Sequence, residues 1–384
     1  MIVDLLREEL TALANDGLTR RHRTVSTPTQ PEVKVDGQSV VAFCSNDYLG
    51  LANHPELIKT LAAASKKWGV GSGASHLISG HLKPHEDVQD KLAAFAGMDK
   101  ALLFSTGYMA NLGVVPALMG RGDAIFADRL NHASLIDAAQ LSRADHMRYP
   151  HGDIGTLRAQ LAASTAKRKM ILTDGVFSMD GDLAPLPELF ELAEKHDAWL
   201  VIDDAHGLGT LGPQGRGSLA HFAIPSSPRI VLIGTLGKAA GVAGAFVAGH
   251  ATVIDYLLQT ARTHIFTTAS APALSVVVSK SIDLIAEGDD RRQHLLALID
   301  RLRAGLATLP WERLPSPTAI QPVIIGGNDD ALRISDGLME RGYWVPAIRP
   351  PTVAAGKARL RITLSAAHTE AQVDGLLEAL GSLA

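Results

Sequence analysis

Apolar positions recur along this chain with two different periods, and the places where the period changes divide it. Over residues 3 to 16, Leu6, Leu10 and Leu13 fall at helical spacing before Gly17, which predicts an amphipathic opening helix. A Pro/Thr/Gln-rich connection leads to the apolar Val40-Val41-Ala42-Phe43, and helices are predicted near 55–67 and 84–96 with a flexible glycine-rich loop, 69–76, between them. From about residue 100 short apolar strands at 101–104, 124–127, 146–149, 169–173, 199–203, 229–233 and 244–248 alternate with helical stretches near 108–118, 133–142, 153–164 and 187–196. That alternation predicts an α/β fold with a mostly parallel seven-stranded sheet. Beyond about 250 come helices 271–286 and 290–308, a strand 321–326, helix 329–341, strands 343–348 and 359–364, and a last helix 369–382, a smaller α+β lobe. The expected organisation is an N-terminal helical arm and strand over 1–45, a large α/β domain over 46–255 and a C-terminal α+β domain over 256–384.

Composition narrows the partners. The 36 Lys+Arg residues are balanced by 40 Asp+Glu, and no basic block of the kind that grips nucleic acid is present, so a small-molecule partner is expected. The cluster Arg20-Arg21-His22-Arg23 reads either as a solvated face or as an anion contact. One cysteine, Cys44, allows no internal disulfide and no cysteine-based zinc site, which fits a reducing cytoplasm. The opening Met1-Ile2-Val3-Asp4 does not read as a signal peptide and no run reaches membrane-spanning length, so a soluble protein with no membrane partner is expected.

Polar motifs fall just after the predicted strands, where ligands sit in parallel α/β sheets. They are Ser105-Thr106-Gly107-Tyr108, Asn131-His132, Ser178, Asp203 to His206, and Thr235 with Lys238. Three other patterns are decoys. Gly207-Leu208-Gly209-Thr210-Leu211-Gly212 matches a dinucleotide fingerprint, but Pro213 and two further glycines follow where a helix should begin. The octet around Lys238 fails the phosphate-loop pattern, with Leu232 and Ala239 in the wrong places. His81 and His85 have metal-pair spacing, but Pro84 breaks the helix such a pair would need, and no metal is expected. What remains is a strand, turn and helix start at Gly107 suited to a phosphate, a flat ring at His132, a strand-end acid at Asp203 with His206 three residues on, and a lysine among small residues. Desolvation there lowers the basicity of Lys238, as a Schiff-base or proton-transferring amine requires.

Five ordered motifs, 44–50, 128–134, 175–182, 203–207 and 235–238, together resemble the α-oxoamine synthase family of fold-type I pyridoxal-phosphate enzymes. The resemblance implies that Lys238 carries the cofactor, Asp203 partners the pyridine nitrogen, His206 bonds the ring oxygen and His132 stacks on the ring. Ser178 and Thr235 would contact the cofactor, Gly107 and Tyr108 would hold the phosphate, and Thr267 would reach the neighbour's phosphate in a homodimer with shared sites. Arg20, Asn46, His132, Arg349 and Thr352 would contact substrate, with Arg21 able to stand in for Arg20 and Arg349 pairing with an amino-acid carboxylate. Asn131 and Thr106 depart mildly from the family's pattern without removing a catalytic group. Two second-lobe motifs, 347–353 and 359–364, narrow the resemblance to a member whose activity is decarboxylative condensation of L-alanine with a pimeloyl thioester on CoA or on an acyl carrier protein. Sister enzymes that take glycine or serine with another acyl chain are the alternatives.

Overall fold

The computed structural model describes residues 1–15 and 18–384. Its centre is a seven-stranded sheet of β1 (Lys100–Phe104), β2 (Ala124–Asp128), β3 (Asp145–Tyr149), β4 (Lys169–Asp174), β5 (Ala198–Asp203), β6 (Ile230–Thr235) and β7 (Ala245–Gly249), in the order β1-β7-β6-β5-β4-β2-β3. All neighbours run parallel except β7, which is antiparallel to both β1 and β6. The inner strands read as almost unbroken apolar runs because both faces are covered. Alternate side chains settle the faces: Ile171, Leu200, Ile202 and Leu232 join one core with helices Lys83–Ala96 and Leu186–Lys195, while Leu172, Val201, Val231 and Ile233 join the other with helices Gly107–Leu118 and Ala133–Ser142. The parallel strands β2, β4, β5 and β6 therefore end on one edge of the sheet, at Asp128, Asp174, Asp203 and Thr235.

A four-stranded antiparallel sheet, ordered Glu312–Arg313, Ile320–Gly326, Ala358–Thr363 and Ala347–Ile348, forms the second lobe. The hairpin Glu32–Val35 and Gln38–Ala42 pairs in parallel with Tyr343–Trp344, so the two ends of the chain share a sheet. Helix Ile2–Asn15 forms as its leucine spacing predicts but buries none of its residues; the expected stop at Gly17 lies outside the described residues. No described helix is long and apolar enough to cross a membrane.

Two local expectations change. The strand 343–348 is two short pieces flanking Val345-Pro346, since proline cannot donate to a ladder. Helices Ala251–Thr260 and Arg262–Ile265 were not predicted, and the loop 69–76 runs at its last residue into a π-helical turn at His76–Gly80. As expected, no helix carries both His81 and His85: Lys83–Ala96 begins after His81, with Pro84 in its first turn, where its missing N–H costs nothing.

Candidate active site

Three strand ends and two helix starts converge on a cavity of about 180 Å³ lined by Gly107, Tyr108, His132, Ser134, Asp174, Asp203, Ala205, His206, Thr235 and Lys238. Thr106 caps the helix Gly107–Leu118 by accepting from the Met109 N–H at 3.1 Å, so its hydroxyl is committed to the helix. The N–H groups of Gly107 and Tyr108 precede any carbonyl they could bond within the helix, and they and the helix dipole are available to an anion. Gly107 stands beside Thr235, a Cβ built on it coming within 3.9 Å of the threonine side chain, so two turns meet there.

The floor is made by two neighbouring strands whose last residues, Asp174 and Asp203, lie side by side in register. Asp203 accepts from Asn111 Nδ2 at 2.7 Å and from the Ala205 N–H at 3.0 Å. Asp174 accepts the His132 N–H at 2.7 Å, which fixes the start of the next helix. Burial, reinforced by the adjacent Asp203, pushes the Asp174 carboxyl well above the ordinary carboxylate range. The companion acid Asp204 is structural: it is fully buried, holds the Ser218 N–H at 2.8 Å, and burial raises its carboxyl to about 7.

A hydrogen-bonded chain leads away from the lysine. Lys238 Nζ lies 2.9 Å from His206 Nε2, His206 Nδ1 lies 2.5 Å from the Tyr48 hydroxyl, and Tyr48 donates to Asn46 Oδ1 at 3.2 Å. Arg361 closes it, with both terminal nitrogens 3.3 Å from Asn46 Oδ1 and its Nε donating to the Ser178 carbonyl at 2.7 Å. One assignment of protons satisfies every link: Lys238 donates to His206 Nε2, and His206 Nδ1–H donates to Tyr48. Burial lowers the basicity of Lys238, with Asp203 and Asp174 opposing it and Arg361 adding to it. Burial, helped by the charge of Lys238, drops the His206 ring well below its usual range and keeps it neutral. The Tyr48 phenol is held up at about 12 by burial, so it stays protonated.

Of the residues singled out in the sequence, Lys238, His132, Asp203, His206, Gly107, Tyr108 and Thr235 share this cavity. Asn46 joins through Tyr48. Arg20, Arg349 and Thr352 line a separate pocket of about 230 Å³ with Leu18, and Arg20 rather than Arg21 is the arginine that faces it. Ser178 and Thr267 are not lining residues of the main cavity. Sequence reasoning missed Asp174, Asn111, Ser134 and Arg361. Asp174 obeys the strand-end rule already used, one residue past where the strand was expected to stop, and Asn111 is a lone amide inside the apolar run Ala110 to Val115.

The trio His76, His81 and His85 brings ring nitrogens within 4.8 Å of one another. His85 is committed at both, accepting from the Leu82 N–H and donating to the Ser270 carbonyl, each at 2.9 Å. The trio is a hydrogen-bonded cluster rather than a ready ligand set.

The donor set fits pyridoxal phosphate: an anion cradle at Gly107 and Tyr108, a carboxylate at Asp203 open to the cavity, and a desolvated lysine across from it. The fold and site define a pyridoxal-phosphate type of transferase, and the chain belongs to the aminotransferase class I and II family, whose model matches residues 38–380. Among its relatives, the 8-amino-7-oxononanoate synthase of Herminiimonas arsenicoxydans is 64% identical over 384 residues, covering 99% of each chain. The enzyme of that name from Azoarcus sp. (strain BH72) is 59% identical over 382 residues, covering 100% of this chain and 98% of its own. A solved serine palmitoyltransferase variant from S. paucimobilis with a bound PLP–myriocin aldimine superposes with a TM-score of 0.93 at 29% identity, covering 99% of this chain and 96% of its own. Within the family the chain falls among the 8-amino-7-oxononanoate synthases.

Proposed function

We propose that this chain is a pyridoxal-phosphate-dependent acyltransferase that condenses L-alanine with a pimeloyl thioester, releasing carbon dioxide and 8-amino-7-oxononanoate for biotin biosynthesis. The observation that carries the reading is the gathering of Lys238, Asp203, His206 and His132 around one cavity in a chain matching that synthase along its whole length.

When bound, the cofactor supplies an electron sink for the carbon next to the alanine amine. The chain's residues do the rest. The amides of Gly107 and Tyr108 receive the phosphate, with Thr235 beside them. Asp203, fixed by Asn111 and Ala205, holds the proton on the ring nitrogen. His132 would stack on the ring, and His206, its Nε2 released when Lys238 engages the cofactor, would bond the ring hydroxyl at that nitrogen. Lys238 tethers the cofactor and then moves the Cα proton, its lowered basicity matching a base that must both take and return a proton.

Arg361 with Asn46 takes the alanine carboxylate, in place of the Arg349 pairing that the family resemblance implied. Arg361 is buried beside the Lys238 chain and its charge acts on both Lys238 and His206. Arg20, Arg349 and Thr352 then serve the acyl donor, their pocket suiting the far carboxylate of a dicarboxylic chain. Ser178 completes the cofactor contacts, and Thr267 acts across the interface of a homodimer with shared sites. The working parts are the arm 1–45, the cofactor domain 46–255 and the C-terminal domain 256–384, in a cytoplasmic enzyme served by CoA or an acyl carrier protein.

A panel of alanine, glycine and serine against pimeloyl and long-chain thioesters tests the reading, with the alanine and pimeloyl pair expected to give the highest kcat/KM. A winning serine and long-chain pair would overturn it in favour of the activity named for the structural neighbour. Lys238→Ala is expected to abolish turnover, and borohydride reduction followed by mass spectrometry should find no cofactor fixed to that variant.

A further inference from the structure

Residues Gly175 to Ala184 form a tight strap after β4, closed by the Val176–Leu183 bridge and by the Ala184 N–H on the Gly175 carbonyl. One side of the strap faces the second lobe. Arg361 binds the Ser178 carbonyl at 2.7 Å, Arg359 pairs with Asp180, and Ser316 and Thr318 donate to the Gly181 carbonyl at 2.9 and 3.0 Å. The other side is held by His151, just after β3. Its Nε2 lies 2.7 Å from Asp182 Oδ2, its Nδ1 lies 3.0 Å from Asp128 Oδ1, and its ring meets Phe177 edge to face at 4.4 Å. Ionised carboxylates only accept, so a ring bonded to one at each nitrogen donates from both and is an imidazolium. Asp128 is itself fixed by the Leu130 and Gly152 N–H groups at 2.8 and 3.0 Å, so the clamp is anchored to the end of β2 rather than floating.

We propose that His151 is a positioning residue for the amino-acid substrate: through Asp182 it sets the strap so that the Ser178 carbonyl aims the Arg361 guanidinium at Asn46 and the incoming carboxylate. The inference rests on the reading of Arg361 and Asn46 given above. Hydrogen bonds run from Asp128 through His151 to Asp182, the strap's backbone carries the link four positions back to Ser178, and the Ser178 carbonyl bonds Arg361. Burial opposes the charge on His151, and its bonds to the two carboxylates outweigh that, lifting the ring to about 10. The clamp therefore keeps its charge across the working pH range.

The test uses the cofactor-loaded enzyme and two variants, His151→Gln and Asp182→Asn, the second nearly isosteric. L-Alanine affinity, read by absorbance titration without any thioester, is expected to weaken about tenfold in each, within the coupling range of residues sharing a network. KM for alanine should rise in parallel while KM for the thioester, kcat and cofactor absorbance stay within about twofold. The double variant should be no worse than either single one, because both break the same link. Unchanged alanine affinity with only a lowered melting temperature would overturn the proposal, as would additive losses in the double variant. If wild type binds alanine but shows no thioester-dependent turnover, the activity assignment fails while the binding test of His151 still stands.

Discussion

At the scale of single residues, the two acids at the floor of the cavity divide the work. Asp174 and Asp203 are neighbours in register, and two adjacent buried carboxylates cannot both ionise cheaply. Burial raises the Asp174 carboxyl well above the ordinary carboxylate range and so favours its neutral form, and its service is to accept the His132 N–H. Asp174→Asn is accordingly expected to fold with a stability change of about 1 kcal/mol or less and to keep activity within about threefold. Asp203→Asn, which removes the carboxylate proposed to hold the ring-nitrogen proton, should lower kcat by on the order of a hundredfold or more. Steady-state kinetics with urea titration of both variants checks the pair, and equal losses would show that Asp174 is charged. Asp174 and Asp203 are of one residue type at equivalent strand ends, and the sequence does not say which takes which role.

At the scale of elements, the strap 175–184 shows why a glycine can matter far from any ligand. Gly181 has φ of +74°, and a Cβ there would sit 2.4 Å from both the Ile320 carbonyl and the Ser316 hydroxyl. Gly181→Ala is expected to destabilise the protein by about 2 kcal/mol or more, the left-handed conformation alone accounting for roughly 1–2. Because the strap also carries Ser178, alanine KM should rise too, which calorimetry and initial rates would show together. The strands that carry the site were legible because their apolar runs are long and bounded by glycine and polar turns. Helix Ala251–Thr260 was not, since it follows β7 with only His250 as its cap. The role of Pro84 was legible because a proline in the first turn marks a helix start, which leaves His81 outside the helix that carries His85.

At the scale of the whole molecule, the lobes are tied by a few residues distant in sequence. His368 stacks on Phe43 with ring centroids 4.3 Å apart and donates from Nε2 to the Ala42 carbonyl at 3.1 Å, joining the first strands to the C-terminal domain. Burial holds this ring at about 4, opposed by its bonds to the Ala42 and Ser365 backbone. Below the unfolded value of 6.5 the unfolded chain takes up a proton that the folded one refuses. Its contribution to stability is thus complete above about pH 6.5 and is lost as pH falls toward 4, by at most about 1.4 kcal/mol per pH unit. His368→Gln should be less stable at pH 7 and show a shallower loss between pH 7 and 5 in urea midpoints, while an unchanged slope would mean that the ring is already protonated in the fold.

What the amino-acid sequence determined by itself was the alternation of strands and helices, the position of polar motifs at strand ends, and the order in which Gly107, His132, Asp203, His206 and Lys238 occur. Those follow from local periodicity and turn chemistry, which act over a few residues. Tertiary structure alone decided that Arg361 and Asn46, 315 residues apart, meet beside Lys238, and that Arg20 and Arg349 line a different pocket. It also decided that His151 carries a charge between two carboxylates. The physical reason is that charge state and contact across the chain depend on burial and on neighbours brought in by packing, and neither is written in the spacing of residues along the backbone.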